Sequence, residues 1–315
     1  MSWAYFNAIK EILPPKPTWS VDDLPDQTGN VAIVTGGNTG IGKAICEVLL
    51  RKNAKVYLLA RSEDKALEAI KDLKEQTGKK DIHFIKLDLG DLTTIKSTVK
   101  EFETKEENLH LLFNNAGVMF PPNGSKTKQG YELQLGTNSL GPILLTNLLL
   151  PILIKTSQSL LVKNEVKEKG YNIIRIINLS SNGHVFFPPK GGFNFLNPNF
   201  DFLDSKSSYG QSKFLNVIHS LVIAKEMKKN NYNINCHPSN PGGIKSDLHR
   251  YQNWLYHLFV DRLTYPLDLG RMTPLYAGLS PEAGKPDQNG SYYIPWGRKG
   301  SANPDACDEE NTEKM

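Results

Sequence analysis

Along most of the chain, short apolar runs rich in β-branched residues alternate with stretches in which apolar residues return every three or four positions. The first kind reads as buried strand and the second as amphipathic helix. Strands are expected at Asn30–Thr35, Lys55–Ala60, Ile82–Leu87, Leu109–Phe113, Ile173–Asn178, Asn233–His237 and Tyr292–Ile294. Helical spacing runs through Ala44, Ile45, Val48, Leu49 and Leu50. It returns in a charged helix capped by Ser62 and reaching about Gln76, in one capped by Asp91 and reaching about Glu107, and from Tyr209 through Ala224 to about Asn230. Alternation of this kind with short joins predicts an α/β fold: one doubly wound parallel sheet of about seven strands, with helices on both faces. No linker or repeat divides it, so one domain is expected over 30–300, with a lead segment 1–29 and an acidic, loosely held tail 301–315.

Three segments stand apart from this rhythm. Leu140–Ile154 is the most apolar, but its 15 residues include Gly141, Pro142, Asn147 and Pro151. That is short of a bilayer crossing, so a buried or subunit-contacting helix is expected. Asn182–Lys206 carries Phe186, Phe187, Phe193, Phe195, Phe200 and Phe202 among prolines and glycines and reads as a loop with apolar anchors. Leu248–Leu267 has an aromatic stripe with few charges; it reads equally as core or as part of a lid around 244–267 over an apolar substrate. Met1–Leu13 forms a short amphipathic pattern stopped by Pro14-Pro15, without the apolar core or cleavage site of a secretory signal. It is expected to pack on the body of the protein, with weak docking to a lipid surface as the other reading.

Composition narrows the class. With 39% hydrophobic and 22% charged residues a globular core is within reach, and a net charge of +4 gives no electrostatic case for nucleic acid. Cys46, Cys236 and Cys307 lie far apart, with no C-x-x-C spacing, and the seven histidines make no H-x-x-x-H pair. No metal site is expected, and a reducing, cytoplasmic setting is. His219 reads as a core residue.

The first chemistry lies directly after the first strand. Gly36-Gly37-Asn38-Thr39-Gly40-Ile41-Gly42 joins that strand to a helix, the context a phosphate-binding loop requires. The glycines let the backbone approach a pyrophosphate, and the new helix offers N–H groups and the positive end of its dipole. The second strand ends in Ala60-Arg61-Ser62, where an acidic residue would accept from the ribose 2′-hydroxyl of NAD. A guanidinium and a hydroxyl suit a 2′-phosphate instead, so NADP(H) is expected over NAD(H). Asp88, ending the third strand, is placed to meet the adenine amino group.

The second chemistry is Tyr209 with Lys213, four residues apart and therefore on one helical face. A phenol titrates near pH 10, but an ammonium at ~4 Å in an effective dielectric near 20 attracts a phenolate by roughly 4 kcal/mol before desolvation. About half of that lowers the tyrosine by more than one unit, towards working pH. In a chain with 12 tyrosines and many lysines the spacing alone could be a surface pair. Its company decides.

Six motifs in order resemble the short-chain dehydrogenase/reductase family over roughly Asn30 to Trp296. Residues 35–42 look like its cofactor loop, and Asp88 and Asn114-Asn115-Ala116-Gly117 like its adenine-side and sheet-stabilising motifs. Asn138 in Gly136-Thr137-Asn138-Ser139, Ser181, and the Tyr209–Lys213 pair resemble its catalytic tetrad. Asn240-Pro241-Gly242-Gly243-Ile244, followed by Ser246, resembles the loop near the nicotinamide. Ala60-Arg61 and the long gap between Ser181 and Tyr209 look most like the retinol-dehydrogenase-like and WW-domain-oxidoreductase-like branch.

The resemblance implies a Rossmann-type fold and hydride transfer between nicotinamide and a carbonyl or alcohol carbon of a small molecule, and the aromatics in 182–206 and 248–267 suggest an apolar pocket and hence a bulky, apolar substrate. Tyr209 is then the general acid or base. Lys213 lowers its pKa and binds the nicotinamide ribose, Ser181 holds the substrate oxygen, and Asn138 holds a water linking Lys213 to solvent. Gly36, Asn38, Thr39, Gly40, Ile41, Gly42, Arg61, Ser62, Asp88, Asn115, Pro241, Gly242, Ile244 and Ser246, with Tyr209 and Lys213, are expected to bind the cofactor. Thr39 stands where many NADP-dependent members carry Lys or Arg, and Ser246 where Thr is commoner. Ser181 is chosen over Ser180 because the family places its serine second in such a pair. A catalytically silent NADP-binding scaffold is the rival, against which the complete tetrad argues. An epimerase of the extended branch fits less well, because no large C-terminal substrate domain follows. Homo-oligomers could form through the 140–154 and Tyr209 helices, unless the N-terminal segment covers that face.

Overall fold

The computed structural model describes residues 3–163, 165–188, 193, 204–245, 248, 251 and 264–313. The strands are β1 (Val31–Thr35), β2 (Lys55–Ala60), β3 (Ile82–Lys86), β4 (Leu111–Asn114), β5 (Ile174–Leu179), β6 (Ile234–Ser239), β7 (Tyr293–Ile294) and β8 (Arg298–Lys299). They form one sheet in the order β3-β2-β1-β4-β5-β6-β7-β8. All neighbours are parallel except β7 and β8. The principal helices are α1 (Trp3–Ile12), α2 (Gly40–Arg51), α3 (Glu63–Thr77), α4 (Leu92–Glu103), α5 (Gly141–Val162), α6 (Ser205–Lys229) and α7 (Met272–Leu279). The expected doubly wound architecture is present, with one strand more than the seven read from sequence. That strand, β8, is two residues long and too short to carry a period.

The alternation of side chains along the strands builds two cores. From β1, Ala32 and Val34 face α2, α3 and α7, with Ile45, Leu49, Ile70, Leu73 and Leu275. Val31 and Ile33 face the opposite layer, with Ile95, Val99 and Phe102 of α4, Leu145, Leu149 and Leu153 of α5, and Ile223 and Met227 of α6. Strands buried on both faces explain why these runs read as continuously apolar.

Two expectations change. The apolar helix does not end at Ile154: it runs through Pro151 to Val162, and with the turns before it makes a 30-residue helix from Leu133. By length and composition alone it could cross a membrane, but half of its most apolar 18-residue window is buried inside the protein, against α4 and the sheet. Nor is the tail after Gly300 loosely held. Ala306 is fully buried against Phe214, Val217 and Ile218 of α6, and Glu309 pairs with Lys225. The C-terminal segment, not the N-terminal one, covers the outer face of the Tyr209 helix. The N-terminal helix packs elsewhere on the body, with Ala8 against Val185 and Phe186.

Candidate active site

The strand order reverses between β1 and β4, the switch point at which open α/β sheets bind ligands. A cavity of about 850 Å³ opens there, in the size range of cofactor and substrate sites.

Its floor is the glycine loop. Gly36 and Gly40 both have positive φ, +65° and +54°, and Gly36, Asn38, Thr39, Gly40 and Ile41 line the cavity. Gly42, expected among the contacts, does not line it. A Cβ at Gly42 would stand 2.3 Å from the carbonyl oxygen of Gly36 and 2.5 Å from Asn115 Nδ2. The third glycine therefore lets the first turn of α2 lie directly on the loop. Asn115 lines the cavity and laces the floor to β4: its Nδ2 donates to the Thr35 carbonyl at 2.8 Å, and its N–H to Thr35 Oγ1 at 3.0 Å. Asn114 Nδ2 donates to Thr146 Oγ1 of α5 and Asn178 Oδ1 of β5, both at 2.8 Å. The motif read as sheet-stabilising does bind sheet to helix.

At one end of the cavity stand Arg61 and Ser62. Arg61 is exposed and has no carboxylate partner among the described residues. Ser62 Oγ accepts from the Lys65 N–H and caps α3, so its hydroxyl serves the helix as well. Lys43 and Lys65, which the sequence reading did not single out, line the same end, and Lys43 pairs with Asp72 at 2.9 Å. Asp88 departs from expectation: Leu87 and Leu89 line the cavity, whereas Asp88 does not, and its Oδ1 accepts from the Gly90 N–H. A short aspartate that closes its own turn has one oxygen committed before any ligand arrives.

At the other end, Tyr209 and Lys213 project from α6 into the cavity, both buried. The Lys213 Nζ lies 5.8 Å from the centre of the Tyr209 ring and donates to the Leu179 carbonyl at 2.9 Å. Burial lowers Lys213 to about 8. Ser180 and Ser181 follow β5. Both line the cavity, but Ser180 Oγ donates to the Lys213 carbonyl at 2.9 Å, while Ser181 Oγ donates to Asn182 Oδ1 and accepts from the Gly183 N–H.

Asn138 sits in a π-helical turn, Gly136–Leu140, a distortion common at functional sites. Its carboxamide does not line the cavity. Oδ1 accepts from the Val118 N–H at 2.7 Å, and Nδ2 donates to the Val118 carbonyl and Ser212 Oγ. Both amide hydrogens are thus used in fixing the segment after β4, and none is left to donate to the expected water. A Cβ on Gly117 would lie 3.1 Å from Asn138 Oδ1 and 3.7 Å from Lys213 Nζ, so the two side chains converge across that glycine.

Pro241, Gly242, Gly243 and Ile244 line the cavity beyond β6. Ser246 lies outside the described residues, as do Phe195, Phe200, Phe202 and most of the expected lid. The described ends of that lid are tied together: Tyr265 N–H donates to the Gly243 carbonyl and Lys245 N–H to the Tyr265 carbonyl. One apolar wall was missed. Phe120 holds a left-handed backbone (φ +51°) and packs edge-on to Tyr209 and Phe187, at 5.4 and 6.1 Å between ring centres. Bulky residues rarely take this conformation. Its N–H is held by Gln134 Oε1, a pairing no local pattern announces.

A doubly wound sheet with a glycine loop at its switch point and a buried Tyr–Lys pair facing the same cavity defines a dinucleotide-dependent oxidoreductase. Comparison with known proteins gives the family. The family model "short chain dehydrogenase" matches residues 30–167. A short-chain dehydrogenase/reductase of Armillaria gallica is 43% identical over 98% of this chain and 95% of its own. Retinol dehydrogenase 11 of Mus musculus is 38% identical over 80% of this chain and 74% of its own. The chain belongs to the short-chain dehydrogenase/reductase family, in its retinol-dehydrogenase-like branch. Among solved structures, an uncharacterized protein from Mycobacterium paratuberculosis matches with a TM-score of 0.68 and 23% identity, over 94% of both chains. An NADPH-bound carbonyl reductase from chicken fatty liver matches with 0.62 and 21%, over 89% of this chain and all of that one. At these identities the likeness is one of fold.

Proposed function

We propose that this protein is an NADP(H)-dependent oxidoreductase that reduces bulky, apolar ketones or aldehydes. The observation that carries the cofactor preference is the end of β2: an exposed Arg61 beside Ser62 and Lys65, with Ala60 where a carboxylate would repel a 2′-phosphate. Lys43 adds positive charge, offset by Asp72. The substrate reading rests on the apolar residues Val118, Met119, Phe120, Phe187 and Leu248 that line the cavity, with Phe120 packed between Tyr209 and Phe187. The mouse relative's name, a retinol dehydrogenase, points to the same chemical class.

The glycine loop and the N-terminus of α2 would hold the pyrophosphate, and Lys213 the nicotinamide ribose. The nicotinamide supplies the hydride in reduction. Tyr209 gives its proton to the carbonyl oxygen as negative charge builds there, and the Ser181 hydroxyl donates to the same oxygen. Lys213 favours the phenolate that remains. Its desolvated ammonium is anchored by one N–H on Leu179, and among the described residues its other two N–H groups are left for the site.

Two variants test the reading. Tyr209→Phe is expected to lose at least about a hundredfold in kcat, while NADPH binding followed by nicotinamide fluorescence changes by less than about threefold. An active variant overturns the mechanism. Arg61→Ala is expected to weaken NADPH about tenfold or more, the worth of a charge-assisted contact, with little change for NADH. Equal losses for both cofactors count against the 2′-phosphate role.

A further inference from the structure

The nicotinamide-side loop is held by a residue from the far end of the chain. Asn240 follows β6, and its N–H donates to the Tyr293 carbonyl at 2.8 Å. Its carboxamide bridges two groups: Nδ2 donates to Glu11 Oε2 at 2.7 Å, and Oδ1 accepts from the Gly242 N–H at 3.0 Å. Glu11, on α1, is 1% exposed, and the same Oε2 accepts from the Tyr292 hydroxyl at 3.2 Å.

The direction of this chain of bonds follows from Glu11. A carboxylate can only accept, so the NH₂ of Asn240 must face it, which leaves Oδ1 for Gly242. Turned over, the amide would set oxygen against carboxylate and NH₂ against N–H. Gly242 itself has φ +89°, and a Cβ there would meet Pro295 at 3.0 Å. The loop therefore takes a strained-for-most-residues turn at the cavity wall, and the Asn240 acceptor closes it.

We propose that Glu11 is a positioning residue of the active site, whose carboxylate orients the Asn240 carboxamide and through it holds Pro241-Gly242 against the nicotinamide end of the cofactor. The inference rests on reading the cavity as an NADP(H) site. The groups facing Glu11 are the Tyr292 phenol, the Arg298 guanidinium and, behind Tyr292 at 5.1 Å between ring centres, the His184 imidazole; Lys10 neighbours it on α1. Burial lowers His184 to about 4 and so keeps it neutral, and Arg298 is the cation that favours the carboxylate. Burial outweighs these and raises Glu11 to about 7. The charge-assisted hold on Asn240 thus approaches completion about a unit above pH 7 and weakens as pH falls through 7.

The test measures NADPH dissociation constants from pH 6 to 8 for the full-length wild type, Glu11→Gln and Glu11→Ala. At pH 8, Glu11→Ala is expected to bind about tenfold more weakly, as for a lost charge-assisted bond, and Glu11→Gln, which keeps an acceptor, within about threefold. The wild-type advantage over Glu11→Gln should grow between pH 6 and 8, because the carboxylate titrates there and the carboxamide does not, while Lys213, near 8, is common to both. Should Glu11→Ala not fold, that ratio alone decides. A ratio that does not move with pH overturns the proposal, as does Glu11→Ala binding like the wild type. Wild type that fails to bind NADPH at all overturns the reading of the cavity; wild type that binds, with variants matching it at every pH, overturns only the role of Glu11.

Discussion

Ser180 and Ser181 carry the same hydroxyl one residue apart, and the geometry gives them different work. Ser180 is spent on the main chain of α6 at Lys213, whereas Ser181 has only local partners, which it can exchange for a substrate oxygen. Ser181→Ala is therefore expected to lower kcat about a hundredfold, in the range seen when one donor to a developing oxyanion is removed. Its melting temperature should hardly move. Ser180→Ala should do the reverse, costing about 1–2 kcal/mol because the Lys213 carbonyl loses a buried donor, with a smaller effect on turnover. Measuring kcat and melting temperature for both separates the roles, and the opposite pattern would exchange them. Asn138 makes the same point: it converges with Lys213 across Gly117, yet its amide hydrogens belong to Val118 and Ser212. Motif spacing locates a residue without saying which of its atoms is free.

At the scale of elements, the cofactor loop and α2 act as one piece, and Gly42 is where they touch. Gly42→Ala would put a Cβ 2.3 Å from the Gly36 carbonyl, which is backbone and cannot step aside cheaply. We expect a loss of about 1–3 kcal/mol in stability and at least about tenfold in NADPH affinity, read by thermal unfolding and fluorescence titration. Wild-type affinity in the variant would show that the loop can slide. This element was legible in the sequence because strand, loop and helix each carry a local period, and so were β2, α3 and α6. The parts that were not legible depend on residues far apart. β8 exists only as the partner of β7, through Tyr293 and Ile294. Phe120 is held by Gln134 and Tyr209, and Asn240 by Glu11, 229 positions earlier. No window of sequence contains such pairs.

Across the whole molecule, both ends of the chain bear on the same site from outside the sheet. The N-terminal helix reaches the Pro241-Gly242 loop through Glu11. The C-terminal segment reaches the Ser181 loop through His184, whose Nε2 accepts from the Asn303 N–H at 3.0 Å while Nδ1–H donates to the Ser181 carbonyl. His184 and Tyr292 then pack edge-on and join the two arms. The same C-terminal segment roofs the outer face of α6, where Phe214, Val217 and Ile218 have no exposure. A chain ending at Gly300 would uncover those side chains and leave His184 Nε2 without its Asn303 donor. At ~25 cal/mol per Å² of apolar surface, uncovering a few side chains of this size costs on the order of 2–4 kcal/mol. That corresponds to a fall in melting temperature of about 3–6 °C for a domain of this length. The exposed α6 face should also drive self-association, visible as a larger species in light scattering at concentrations where the full chain stays smaller. Asn303→Ala removes its side-chain contacts but leaves the roof, so it should keep most of the stability. Truncation without loss of melting temperature would mean that α6 needs no cover, and that the docked tail contributes nothing to the helix that carries Tyr209 and Lys213.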